Sequence, residues 1–378
     1  MSLDGIKISF KLWQHLNCGF LYTAGGRSKD TRIRAAGQVV FAPDFDEFSS
    51  KFCRRILPYA YVGVRMVSAM RIVYMGTPEF AVPALGRLAH GEHRVEAVYT
   101  GLDKPAGRGR EVVPPPVKKR ALELGIEVRQ TASLKNDDAV AALEALWPDV
   151  IVVASFGLIL PPRVLAIPPY GCINLHPSLL PRYRGPTPIP AAILSGDDVT
   201  GASIMLMDEG IDSGPVLAQR TVPIDPSDTT QSLTDKLAIV SADLLMETLP
   251  LWLSRSLAPR PQRPEEATYT KMLDKDDGKI DWHLPAIELW RRVRAFHPWP
   301  TCFTSWNGKG MRILEALPQA GQLGEPGRVL DLGRGDVGVQ AGEGILKVVK
   351  IQLEGKREML AGEFVRGQRG FVGSVLPS

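Results

Sequence analysis

The sequence predicts an α/β protein: a parallel sheet with helices on both faces, followed by a small β-rich barrel. Three observations carry that expectation. Short runs of apolar and β-branched residues alternate with segments of helical spacing from residue 70 to residue 253. Several runs are apolar at consecutive positions, as in DVIVVA at 149–154, which suits strands covered on both sides. Pro259-Arg260-Pro261-Gln262-Arg263-Pro264 then breaks regular structure, and shorter β-rich runs follow it.

Taken in order, RIVYM at 71–75 is a buried-strand run and Gly76-Thr77-Pro78 a turn. Phe80, Pro83, Ala84 and Leu88 fall at helical spacing within 79–90. Residues 95–99 read as strand, 117–124 and 138–147 as helices, and 149–154 and 173–175 as strands. Residues 202–207 and 216–223 continue the strand series, and 231–253 is a long amphipathic helix. Past the prolines, 345–351 reads as strand and 320–345 as Gly-rich turns. The expected divisions are an α/β domain over 70–255, a linker over 256–274 and the small barrel over 275–378.

Residues 1–69 hold no sustained period of 2 or 3.6. They lack the apolar run of a secretory signal, and Asp44, Asp46 and Glu47 do not suit a mitochondrial presequence. A poorly ordered extension, or the product of an over-early start codon, is expected there.

A chain of 378 residues has ample core for two or three domains. No segment reaches eighteen consecutive apolar residues, so no membrane span is expected. The four cysteines are scattered with no CxxC pair, which fits a reducing cytoplasm without disulfide framework or zinc site. The net charge of +4 is uneven. Residues 1–69 hold ten Lys/Arg against five Asp/Glu, 291–378 thirteen against eight, and 70–290 twenty-two against twenty-eight. A basic C-terminal piece beside an acidic body fits a polyanionic partner, and equally an ordinary solvated surface.

Asn174 and His176 stand two apart in GCINLHPSLLPRYRGP. On a strand they share one face, with Leu175 on the other. Pro177 ends the pairing, so His176 lies at the strand's carboxyl end, where ligands gather in such sheets. Alone, the pair equally fits a capping Asn beside a satisfied core His. The loop MDEGIDSG at 207–214 follows another strand and can return Asp212 toward that end. A carboxylate beside an imidazole fixes its tautomer and suits it to acid or base work near neutrality. The six histidines are dispersed and form no metal-ligand cluster. Gly76-Thr77-Pro78-Glu79-Phe80 lacks the GxGxxG of dinucleotide-binding dehydrogenases.

Seven stretches occur in one order: MRIVYMGTPEFAVPAL from Met70, DKPAGRGREVVPPPVK (103–118), FGLILP (156–161), INLHPSLLPRYRG (173–185), MDEGIDSG, DGKIDW (277–282) and RAFHPWP (294–300). With these the chain resembles the methionyl-tRNA formyltransferases, a branch of the formyltetrahydrofolate-dependent formyltransferase family. The resemblance implies a Rossmann-like formyltransferase domain and an OB-like C-terminal barrel that helps grip tRNA. It implies a catalytic trio of Asn174, His176 and Asp212, with Asn174 and a protonated His176 both donating to the carbonyl oxygen that gains charge. Tetrahydrofolate contacts would fall on Ser178, Leu179, Leu180 and Pro181, and Phe156, Leu158, Leu160 and Asp208 would wall the pterin. Arg108 and Arg110 on the glycine-flanked tip, with Lys118 and Arg184, would meet tRNA.

The implied reaction moves the formyl group of 10-formyltetrahydrofolate to the amino group of initiator methionyl-tRNA, for translation initiation. The enzyme would be a cytoplasmic monomer needing neither metal nor membrane. A formyltransferase acting on an amino-sugar nucleotide or on glycinamide ribonucleotide with the same trio is the alternative. The chain departs from the family pattern at Pro186-Thr187, at Gly101-Leu102, at Phe156 and at His297.

Overall fold

The chain folds as two units, Met1–Met66 and Val67–Ser378. The computed structural model describes residues 33–35, 38–40, 69–106 and 111–378. In the first unit Ile33–Ala35 (β1) pairs antiparallel with Gln38–Val40 (β2), a hairpin not legible in the aperiodic sequence. The expectation of a poorly ordered extension otherwise falls outside the described residues.

In chain order the second unit opens with Arg71–Gly76 (β3) and Arg94–Thr100 (β4). A separate hairpin follows, Lys104–Ala106 (β5) with Glu111–Val113 (β6). Val128–Gln130 (β7), Val150–Ala154 (β8), Cys172–His176 (β9), Val199–Leu206 (β10) and Val216–Pro223 (β11) complete a seven-stranded sheet ordered β11-β10-β9-β8-β3-β4-β7. The parallel expectation holds for β9, β8, β3, β4 and β7. β10 is antiparallel to both its neighbours. Only residues 207–215 join it to β11, too few for a parallel crossover.

Alternate strand residues part to the two faces. Ile72, Tyr74, Val150, Val152, Ile173 and Leu175 join one apolar cluster, with Val82–Ala89 (α1) and Thr230–Leu253 (α6) packed over it. Val73, Met75, Ile151, Val153 and Cys172 join the other, under Asp137–Glu144 (α3) and Pro162–Leu165 (α4). The remaining helices of this half are Pro116–Glu123 (α2) and Pro188–Ser195 (α5). Burying Ile173 and Leu175 is worth roughly 1.5–3 kcal/mol each. A one-residue slip of β9 would take both out of that cluster and turn Asn174 and His176 into it, so the hydrophobic pattern sets the register of the site. α3 stops at Glu144, short of the helix read to 147, because Trp147 takes a φ of 47° in the turn before β8.

The C-terminal part comprises Ala286–Ala295 (α7), Cys302–Trp306 (β12), Lys309–Gln319 (β13), Val329–Gly333 (β14), Asp336–Gln340 (β15), Ile345–Leu353 (β16), Met359–Leu360 (β17) and Ala361–Gly367 (α8). Its antiparallel sheet runs β12-β13-β16-β15-β14, with β17 on β16. The path ends at β12 and β14 without joining them, so the barrel is an open one. The Gly-rich stretch read as turns contains the β14–β15 hairpin, with glycines at its bend. Trp306, Phe364 and Phe371 meet edge to face at 5.0–5.6 Å in its core.

The two halves join at the start of α6. Thr229 and Ser232 form a reciprocal capping box. Thr230 donates to the Ala295 carbonyl, and Arg294 Nε donates to the Asp228 carbonyl. The buried Asp228 carboxylate accepts from Lys236, Ser232 and the Asp225 amide. Burial opposes its charge, but these donors outweigh burial and hold its pKa below the usual carboxylate range. Its stabilising contribution is therefore present above the unfolded value of about 3.9 and is lost as pH falls through the folded one. Asp228→Asn should cost about 2 kcal/mol in urea unfolding at neutral pH, the deficit shrinking in acid below the folded pKa.

Candidate active site

The carboxyl ends of β8 and β9 open beside the point where strand order reverses between β3 and β8, the position at which open α/β sheets hold ligands. Asn174 and His176 lie on the face of β9 away from Ile173 and Leu175, as the alternation requires. Asp212 comes from the β10–β11 loop, with φ 48°, rare for a residue with a side chain. Asn174 Nδ2 donates to Asp212 Oδ1 at 3.2 Å, and His176 Nδ1 lies 3.6 Å from Asp212 Oδ2. The three side chains drawn from separate segments therefore meet.

His176 is 4% exposed. Its Nε2 stands 2.9 Å from the carbonyl oxygen of Tyr183. A carbonyl only accepts, so Nε2 must carry hydrogen, and Nδ1 is the nitrogen left to exchange a proton. This departs from the sequence expectation, because both ring nitrogens face protein acceptors. The second N–H of Asn174 is the donor that the trio leaves open toward a reacting carbonyl oxygen.

Asp212 Oδ2 also accepts from the Gly185 amide at 2.8 Å. Gly185 has φ 103°, and a Cβ there would stand 2.9 Å from the Thr270 carbonyl oxygen, so only glycine brings this amide to the carboxylate. Neighbouring Tyr183 has φ 58°, which aims its carbonyl back at His176.

The residues expected to hold folate are mostly packed away. Ser178 is fully buried and donates to the Arg182 carbonyl. Leu180 packs on Met205 and Val216, its amide and carbonyl held by Ser203 and Gln219. Leu179 lies over Gly201, where a Cβ would strike it. The bond from Leu180 to Pro181 is cis. Phe156 and Leu160 are buried and Leu158 partly so, all in the second cluster, which leaves mainly backbone for a ligand. Asp208 accepts from Ser213 and the Gly210 amide within its own loop. Within the segments 156–160 and 206–212, both expected to wall the pterin, Ile159 and Ile211 are the exposed apolar side chains, at 79% and 65%.

Of the residues expected to meet RNA, Arg108 and Arg110 lie outside the described residues, between β5 and β6. The strands that flank them, β5 and β6, pair antiparallel. Lys118 is committed to the Asp103 carboxylate at 2.7 and 2.9 Å and to Gln130. Arg184 is corrected: it is 4% exposed, and its guanidinium donates to Gln262 and to the Tyr269 hydroxyl, so no phosphate reaches it in this arrangement. Arg182 pairs with Asp197. Thr187, at one of the departures from the family pattern, donates to the Lys271 carbonyl.

The chain belongs to the formyl transferase family: Formyl transferase matches residues 70–249, and Formyl transferase, C-terminal domain, matches 272–369. A methionyl-tRNA formyltransferase of Dehalococcoides mccartyi is 48% identical over 313 residues, covering 81% of this chain and 98% of that protein. The fold is shared with HypX from Aquifex aeolicus, solved in complex with tetrahydrofolic acid, at 20% identity and TM-score 0.53, over 81% of this chain and 49% of that one. An N-formyltransferase of Helicobacter canadensis, solved with folinic acid and dTDP-3-aminofucose, shares it at 17% identity and TM-score 0.54, over 74% of this chain and 99% of that one. This chain thus spans about half the length of HypX.

Cys172 opens β9 and is buried. Burial pushes its thiol up to about 12, and burial likewise pushes Cys302 up to about 12 against the opposing charge of Arg292. Iodoacetamide at mildly alkaline pH should leave both thiols unmodified in the native protein and label both after denaturation, read by peptide mass spectrometry.

Proposed function

We propose that this chain transfers the formyl group of 10-formyltetrahydrofolate to the α-amino group of initiator methionyl-tRNA, in the cytoplasm. The meeting of Asn174, His176 and Asp212 at one strand end is the observation that carries the reading. The folate supplies a formyl carbon open to attack by the amine.

Asn174 has one N–H on Asp212 and a second to offer the carbonyl oxygen as it gains charge. His176 receives the amine proton at Nδ1, because Nε2 is held by Tyr183. Asp212 then faces an imidazolium, and the 3.6 Å gap can tighten once that proton is in place. The carboxylate is the more accessible partner, its side chain 18% exposed, and can relay that proton, directly or through solvent, to the folate nitrogen that bears the formyl group, as its bond to the formyl carbon breaks and tetrahydrofolate leaves.

The same crevice suits a flat apolar ring. Ile159 and Ile211 stand out from the loops on either side, and a Cβ on Gly157 would meet nothing within 4 Å. Beyond the Phe156 carbonyl, which accepts from Thr77, the backbone of 157–160 is the natural partner for a pterin's donors and acceptors. Arg108 and Arg110, between β5 and β6 in the sequence, are the candidates for contact with the acceptor end. Farther off, a cleft of about 760 Å³ in the C-terminal part is lined by Lys275, Arg312, Lys356 and Arg357, charges suited to an RNA backbone.

The acceptor is tested by supplying 10-formyltetrahydrofolate with initiator methionyl-tRNA, elongator methionyl-tRNA or an amino-sugar nucleotide. Transfer to the initiator tRNA is expected; transfer to the sugar alone would refute the assignment. Asn174→Ala should lower kcat by about 10²–10³-fold, and His176→Ala by about 10²–10⁴-fold.

A further inference from the structure

We propose that Gln262, in the segment between the two halves, is a positioning residue for the catalytic carboxylate; this rests on the reading of Asn174, His176 and Asp212 as the reacting groups. The side-chain amide of Gln262 donates to the Asp212 carbonyl at 2.8 Å and to the Gly214 carbonyl at 2.7 Å. Its oxygen accepts from Arg184 Nε at 3.1 Å and Nη2 at 2.9 Å. Both donors and both acceptor positions are spent, which neither Glu nor any apolar residue reproduces. Asp212 needs such support, since its φ lies in the left-handed region and glycines flank its loop.

The same segment grips the opposite wall. Thr268 Oγ1 accepts from the Tyr183 amide at 2.8 Å, the Thr268 carbonyl accepts from the Arg184 amide, and the Thr270 amide donates back to the Arg184 carbonyl. That rung holds the Tyr183 carbonyl on His176 Nε2 and the Gly185 amide on Asp212 Oδ2. Arg184 ties the two grips together, because its guanidinium is bonded to Gln262 while its backbone pairs beside Tyr269. The spacing between imidazole and carboxylate is thus set from the connecting segment, which touches neither reacting group with a side chain other than through backbone.

Gln262→Glu keeps the Arg184 partner but sets carboxylate oxygen against two carbonyls. Gln262→Met removes all four bonds at similar size and without charge. Both are assayed for formyl transfer across the pH profile, beside wild type and His176→Ala. The expected result is a fall in kcat of about 10²-fold for Gln262→Glu and about 10-fold for Gln262→Met, with KM for either substrate within about twofold. The acid limb of the kcat profile should also move, as the contact between imidazole and carboxylate loosens. Wild-type kcat and an unmoved limb in either folded variant would overturn the proposal when His176→Ala is inactive. A fully active His176→Ala would instead remove the catalytic reading, and this inference with it.

Discussion

One carboxylate organises the site. Asp212 accepts from the Asn174 side chain and the Gly185 amide, and it faces the ring of His176. These groups arrive on three pieces of chain: a strand carries Asn174 and His176, the loop that leaves it carries Gly185, and the turn between two antiparallel strands carries Asp212. What the fold supplies is convergence, and the buried alternation of β9 fixes which side of the sheet the convergence occurs on.

The hydrogen-bond inventory also narrows the division of labour. With the Tyr183 carbonyl on Nε2 and Asp212 before Nδ1, both ring nitrogens of His176 face protein acceptors, which in the proposed reaction leaves the oxygen to the Asn174 amide and the proton to the imidazole. Unusual backbone conformations also flank the site. Tyr183 and Asp212, both with side chains, adopt positive φ on either side of the ring, and both are held there by polar groups from 262–270. Departures from relaxed backbone that persist in this way need surroundings that over-determine them.

Much of this was legible in the residues. Consecutive apolar positions placed β3, β8 and β9 within a residue or two, and the two-residue spacing of Asn174 and His176 put them on one face. The antiparallel course of β10 was not legible, because pairing direction follows from connection length and packing rather than from the strand's own residues. Helix α5, PIPAAILS, was hidden by prolines that are tolerated in its first turn. The β14–β15 hairpin was hidden by the glycines at its bend. Arg184 was misjudged because an arginine in a loop advertises charge, whereas its burial depends on Gln262 and Tyr269, some eighty residues away in sequence. Prolines at 259–264 correctly excluded helix and interior strand, yet an irregular segment can still be firmly seated, here with Arg260 bridged to Val216.

That seating changes where the working enzyme ends. The α/β layer finishes with Leu253, and a cut just beyond it would leave a sheet with every reacting side chain present. Such a fragment would nonetheless lack the glutamine and threonine that hold Asp212 and Tyr183 in their unusual backbone conformations. A piece of this chain that keeps these contacts therefore extends through Thr270, and its boundary is drawn by hydrogen bonds instead of by secondary structure.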